Sequence, residues 1–183
     1  MALYKLVWDD FCSWYLEMIK PAHDQSIAAS VHAATVGFFE CLLKLLHPFM
    51  PFMTEELWHQ LRPRQSLDCL IVASWPQSAS HDTTILHHAN ASFELITTLR
   101  SLRNQARISP KQQLTLYILG TEVPSWLSQF ATYVKKLAHL VDIAPSQDEP
   151  HDATSCNIHG TSFYLALGQQ IDAAQEKVRL ERE

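Results

Sequence analysis

Nine prolines punctuate this chain, and their positions set the lengths of the elements it can form. Pro21, Pro48, Pro51, Pro63 and Pro110 each lack a backbone donor and push the preceding residue out of the helical region, so helices run between them. The stretches before Pro110 carry apolar residues at three- and four-residue steps. Over residues 2–20, Leu3, Val7, Phe11, Trp14 and Met18 form such a stripe. Leu6, Tyr15 and Ile19 widen it, and Lys5, Asp9, Ser13, Glu17 and Lys20 fill the opposite face. On that stripe Trp8, Phe11, Trp14 and Tyr15 read as core, and Asp9, Asp10 and Glu17 as solvated acids. A second helix is predicted from about Ser26 to Leu46, with Ile27, Val31, Phe38, Leu42 and Leu45 inward. Thr54 reads as the N-cap of a third, with Glu55 and Glu56 in its first turn and Met53 and Trp58 placed as a hydrophobic staple. Residues 64–80 read as a connection with one short extended piece at Leu70–Ala73. A long helix from Asp82 to Ile108 follows, with Ile85, Ala89, Phe93, Ile96 and Leu99 inward.

After Pro110 the period changes from helical to alternating. Leu114, Leu116 and Ile118 alternate with Thr115 and Tyr117, which predicts a strand. Trp126, Phe130, Val134 and Leu137 return to a helical period. Leu140–Ile143, Cys156–His159 and Ser162–Leu167 are short strand candidates, and Pro145–Thr154 reads as a polar loop. From Gln169 the pattern is helical again, with Ile171, Ala174 and Val178 at coiled-coil-like steps. The fold expected is mainly α: an antiparallel helix bundle over 1–111, a small α/β subdomain over 112–168, and the root of a C-terminal coiled-coil helix over 169–183. The chain ends in mid-pattern, without a helix stop signal, and is expected to be a piece of a longer one.

Composition narrows the function. At 47% hydrophobic and 18% charged the chain has ample material for a core. A net charge of −5 excludes a generic polyanion binder, DNA included, so any nucleic-acid contact must come from a local patch. No glycine spacing matches a phosphate-binding loop. Cys12, Cys41, Cys69 and Cys156 form no CxxC pair, and His81, His87 and His88 lack a third ligand nearby, so no metal site is expected. The N-terminus lacks a signal-peptide pattern, and no uninterrupted apolar run reaches the ~18 residues of a membrane span.

Two segments are more specific than periodicity requires, WDDFCSWYLEMIKP at 8–21 and LLHPFMPFMTEELWHQL at 45–61. The second resembles the helix–proline–proline–helix signature in the anticodon-binding domains of class I aminoacyl-tRNA synthetases for large aliphatic amino acids. The first resembles the valyl-tRNA synthetases rather than the isoleucine enzymes. Leu102-Arg103-Asn104-Gln105-Ala106-Arg107 with Pro110 is similar to the family's Arg-Asn-x-x-Arg helix end. Ile171-Asp172 with Glu176, Arg179 and Leu180 resembles the start of its coiled-coil arm. The resemblance implies a cytoplasmic ligase that esterifies valine to tRNA with ATP and Mg²⁺ on a separate catalytic domain bearing HIGH-like and KMSKS-like motifs. Neither motif occurs here. The family's helix containing Trp-Asn-x-x-Arg-Phe has no counterpart before Leu3. This segment is therefore expected to recognise the anticodon stem-loop of tRNA(Val), with no cofactor, catalytic residue or membrane contact of its own. The upstream catalytic domain is its partner in the same chain.

The residues themselves agree at one place. Between Leu95 and Gln113 there are four bases and no acid. Arg100, Arg103 and Arg107 stand at i, i+3, i+7 and are expected to share one helical stripe, with Lys111 beyond. Unpaired bases are recognised by guanidinium or aromatic stacking and by hydrogen bonds to their edges. Asn104 and Gln105 can supply such edge contacts. The match to the family's Arg-Asn-x-x-Arg helix end implies base reading by Arg103 and Asn104, with Arg100 and Arg107 on tRNA phosphates and Lys111 also at the tRNA. The alternative is a non-enzymatic helical domain whose charged faces bind another protein. An independent small enzyme has no nucleophile, metal or phosphate-loop constellation to support it.

Overall fold

The structure, a computed structural model, describes residues 1–21, 24–65, 67–109, 112–150 and 153–166. Its chain divides into two compact units, Met1–Ser80 and His81–Glu183. The division falls before the long helix expected to close the bundle, so that helix belongs with the sheet. Residues 169–183, read as a coiled-coil root, lie outside the described residues, as does Lys111.

In the first unit the N-terminal helix is continuous but not uniform. α1 (Ala2–Lys5) and α2 (Leu16–Ile19) flank a π-helical stretch, Leu6–Tyr15. The π turn is wider than the α turn, yet Leu3, Val7, Phe11, Trp14 and Met18 are all half-buried along it, while Leu6 beside them is exposed. Trp8, expected in the core, is 60% exposed. Phe11 stacks on Tyr15 at 5.6 Å and on Phe39 at 5.8 Å, fixing this helix against α3 (Ala29–Leu46). The inward set of α3 holds at Leu42 and is displaced at Phe38. Leu42 and Leu43 are buried, whereas Phe38 is exposed and meets Tyr15 edge-on. By length and composition α3 is apolar enough to cross a membrane, against the sequence expectation. Its Glu40, however, is ion-paired to Arg62 and Arg64 within this unit.

Helix α4 (Pro51–Leu61) begins three residues before the expected cap. Pro51 takes the first helical position, where its fixed φ and missing N–H are tolerated. Thr54 is therefore not an N-cap: its buried hydroxyl donates to the Met50 and Pro51 carbonyls, at 3.0 and 3.1 Å. Met53 is 61% exposed and cannot staple to Trp58. Trp58 itself is buried with Leu43 and Leu70, and Phe39, Leu57 and Leu61 pack around them. Leu70–Val72, expected as extended, forms a 3₁₀ turn.

The second unit is built on α5 (Thr83–Gln105). Asp82 caps it, its carboxylate accepting the Thr84 and Ile85 N–H groups at 2.8 and 3.3 Å. These two bonds hold the Asp82 carboxyl below its ordinary pKa. A carboxyl depressed by folding stabilises the fold above its unfolded pKa, and that contribution is lost as pH falls through the folded value. Asp82→Ala is thus expected to lower the melting midpoint at neutral pH, with the gap from wild type narrowing as the pH drops below 3.8. Thermal unfolding over a pH series measures this.

Beyond α5 lie β1 (Leu114–Leu119), α6 (Ser125–Ser128), α7 (Ala131–Leu137), β2 (Leu140–Ser146), β3 (Ala153–Ile158) and β4 (Thr161–Ala166). The sheet order is β2-β1-β4-β3, with β1 and β2 parallel and the other pairs antiparallel. The parallel pair needs a crossover, which α6 and α7 supply. Leu116 stands opposite both Ile143 and Leu165, and Ile118 opposite Phe163, so one face of the sheet is apolar. Against it sit Leu95, Ile96, Leu99, Trp126, Leu127, Val134 and Leu137, all buried. β3 turns into β4 through His159-Gly160, both at positive φ (49° and 77°), as a two-residue hairpin demands. β2 and β3 reach further into Pro145–Thr154 than the loop reading allowed. Pro145 is tolerated there because β2 is an edge strand.

Candidate nucleic-acid interface

The basic segment expected to contact RNA is the C-terminal end of α5 and the turn behind it. The helix stops at Gln105, three residues before the expected end. Arg107 N–H donates to the Asn104 carbonyl at 3.1 Å and Ile108 N–H to the Arg103 carbonyl at 2.9 Å. This paired arrangement is the Schellman ending of a helix, and it requires a left-handed residue at the position Arg107 occupies. Arg107 adopts φ 54°, a conformation that glycine takes without strain.

The three arginines consequently do not share an exposed stripe. Arg100 is exposed, and its Nε donates to the Leu137 carbonyl at 3.0 Å, which ties α5 to α7. Arg103, assigned to base reading, is only 4% exposed. One of its Nη groups donates to the Ser109 carbonyl at 2.9 Å and to the Gln112 carbonyl at 2.5 Å. Its other terminal nitrogen, Nη1, is buried and without a hydrogen-bond partner among the described residues. Burial pushes the guanidinium pKa down, yet arginine starts so high that it stays charged at neutral pH. The side chain thus holds the turn after α5 and does not reach outward. This burial leaves Arg103 little surface with which to meet a base. Helical spacing places Arg103 correctly on the wheel but does not reveal that its face is the one carrying Ser92, Ile96 and Leu99 into the core.

Asn104, Gln105 and Arg107 are exposed at this end. The backbones of Asn104 and Arg107 are joined by the Schellman bond, so the turn exposes both an amide and a guanidinium. That pair can offer hydrogen bonds to a base edge together with a cation for a phosphate or a stacking plane.

Residues 1–118 match the family described as anticodon-binding domain of tRNA ligase. The chain is 39% identical over 183 residues to the valine--tRNA ligase of Parabacteroides distasonis, covering 100% of this chain and 20% of that protein. It is also 39% identical over 185 residues to that of Bacteroides thetaiotaomicron, 100% of this chain and 21% of the relative. Against the Christiangramia forsetii enzyme the identity is 32% over 183 residues, again with 100% and 21% covered. The chain therefore spans about one fifth of the length of the curated relatives it matches. A match running from Met1 through α5 into β1 takes in the proline-broken helices and the whole basic helix end, and the chain belongs to the anticodon-binding domain family of tRNA ligases.

Proposed function

We propose that this chain is the tRNA-recognition module of a valine–tRNA ligase, binding the anticodon stem-loop of tRNA(Val) in the cytoplasm. Valine activation with ATP and Mg²⁺ belongs to a catalytic domain outside these residues. The observation that carries the reading is the end-to-end similarity to valine--tRNA ligases, joined to the family match over the basic helix end. Residues 1–111 act as the recognition module.

Within this reading Asn104 reads a base edge. Arg107 meets a phosphate or stacks on an unpaired base, Arg100 and Lys111 add phosphate contacts, and Arg103 positions the turn. Arg107 supports its own assignment. An arginine in the left-handed region costs roughly 1–2 kcal/mol relative to a residue without Cβ strain. That strain fits a side chain present for what it binds. Arg107→Gly separates the two roles, because glycine relieves the backbone while removing the cation. In the intact ligase the variant is expected to melt no lower than wild type. Its slope of log K against log salt for tRNA(Val) should shrink by about 0.7–0.9 if one phosphate contact is lost. An unchanged slope, with aminoacylation efficiency also unchanged, would leave Arg107 as a solvated turn residue and overturn the assignment.

A further inference from the structure

Helix α4 presents Glu55 and His59 one turn apart on the same face, and the chain after the helix brings Cys69 back beside them. A carboxylate oxygen, an imidazole nitrogen and the Cys69 sulfur all lie within 4.8 Å of one another. His59 Nε2 is 3.2 Å from Glu55 Oε1. The return of the chain is fixed on both sides of the cysteine. Before it, Trp58 Nε1 donates to the Asp68 carbonyl at 3.0 Å and Arg64 pairs with the Asp68 carboxylate at 3.1 Å. After it, Leu70 N–H donates to both Glu55 oxygens, at 3.2 and 3.0 Å, and the Leu70 side chain is buried in the core. Cys69 is thus held against α4 through its neighbours Asp68 and Leu70.

We propose that Glu55, His59 and Cys69 form a binding site for a borderline-soft divalent cation of the Zn²⁺ class. One nitrogen, one oxygen and one sulfur donor are the ligand types Zn²⁺ takes, and calcium or magnesium would not select a thiolate. Bond lengths of about 2.0–2.3 Å to each donor require the three atoms to draw somewhat closer. His59 is exposed, so its ring has room to turn toward the other two donors. The cation replaces the His59–Glu55 contact, while one Glu55 oxygen remains with Leu70 N–H. Binding deprotonates the Cys69 thiol, with the proton released to solvent, and the two anionic ligands then neutralise the ion. The fourth position opens toward a cleft lined by His47, Pro51 and Phe52 and is left for water.

The test is titration of this 183-residue chain with Co²⁺, whose spectrum reports its ligands. One equivalent is expected to produce a thiolate-to-cobalt charge-transfer band with intensified visible bands of a four-coordinate site, and Zn²⁺ is expected to bleach both. Cys69→Ser should abolish the charge-transfer band. His59→Gln, at an exposed position where misfolding is not an issue, should weaken Co²⁺ binding at least tenfold. Affinity should also fall with pH as protons compete for the sulfur and nitrogen. Absence of the band in the wild-type chain, or its persistence in Cys69→Ser, where Cys12, Cys41 or Cys156 would be the ligand, overturns the proposal.

Discussion

Trp58→Ala is expected to destabilise the Met1–Ser80 unit by about 3–5 kcal/mol, the usual cost of truncating a buried aromatic. That is a large share of the ~5–15 kcal/mol that holds a typical domain folded. Three attachments converge on this ring. It is 5% exposed among Leu43 and Leu70, its Nε1 donates to the Asp68 carbonyl, and the Arg64 guanidinium lies 3.4 Å above its centroid. Arg64 in turn donates to the Trp58 carbonyl at 2.8 Å and pairs with Glu40 on α3. Removing the indole therefore opens a cavity and releases the cation that stands on its face. Trp58→Phe keeps most of the apolar volume and loses the Asp68 bond, so a smaller loss of about 0.5–1.5 kcal/mol is expected from that bond. Urea unfolding of both variants measures the difference. An unaltered midpoint in Trp58→Ala would show that the ring is not part of the core.

Arg103→Ala is expected to carry the second large effect, and its signature separates structure from recognition. Hydrogen bonds from a charged donor contribute about 1.5–3 kcal/mol each, and here one guanidinium makes two, to Ser109 and Gln112. The substitution leaves those carbonyls without their donor and loosens the turn that displays Arg107. Stability should fall, and tRNA affinity in the intact ligase should fall equally for cognate and anticodon-swapped tRNAs. Arg103→Lys keeps the charge, but its shorter stem and freely rotating ammonium lack the reach and fixed geometry of the guanidinium, so it should recover only part of the stability. If Arg103→Ala instead kept wild-type stability and selectively lost discrimination at the anticodon, the guanidinium would be touching a base and the positioning role would be wrong.

The sequence made element type legible wherever a proline or a change of period forced it. Pro21, Pro51 and the switch beyond Pro110 mark real boundaries, and Trp126, Phe130, Val134 and Leu137 are buried as their spacing implies. Phase within a helix was less legible. On α5 the buried residues are Ala91, Ser92, Leu95, Ile96, Leu99 and Arg103, while Ile85 is 44% exposed. An apolar residue near a helix start satisfies the period without lying over the core. The π-helical stretch was invisible because no residue pattern announces a wider turn. At the site, spacing identified the basic helix end but not the destinations of its side chains. Those depend on the left-handed turn at Arg107, where an arginine occupies a position usually signalled by glycine. The Glu55, His59 and Cys69 cluster was out of reach for a different reason: its third member arrives through a loop held by Trp58 and Arg64.

The order of strands gives the sheet two edges of unequal character. β2 carries Asp142, paired with Lys135 at 2.6 Å, and Pro145, which cannot donate to a further strand. Charge and proline are the devices by which edge strands resist templating another chain. β3 reads Ala153-Thr154-Ser155-Cys156-Asn157-Ile158, with neither, and among the described residues nothing pairs with its outer side. Among the described residues, self-association by strand addition is thus blocked on one flank and open on the other. When concentrated or heated, two molecules would therefore pair β3 to β3 and stop at that dimer, and a single lysine or proline on that strand is where solubility engineering would begin.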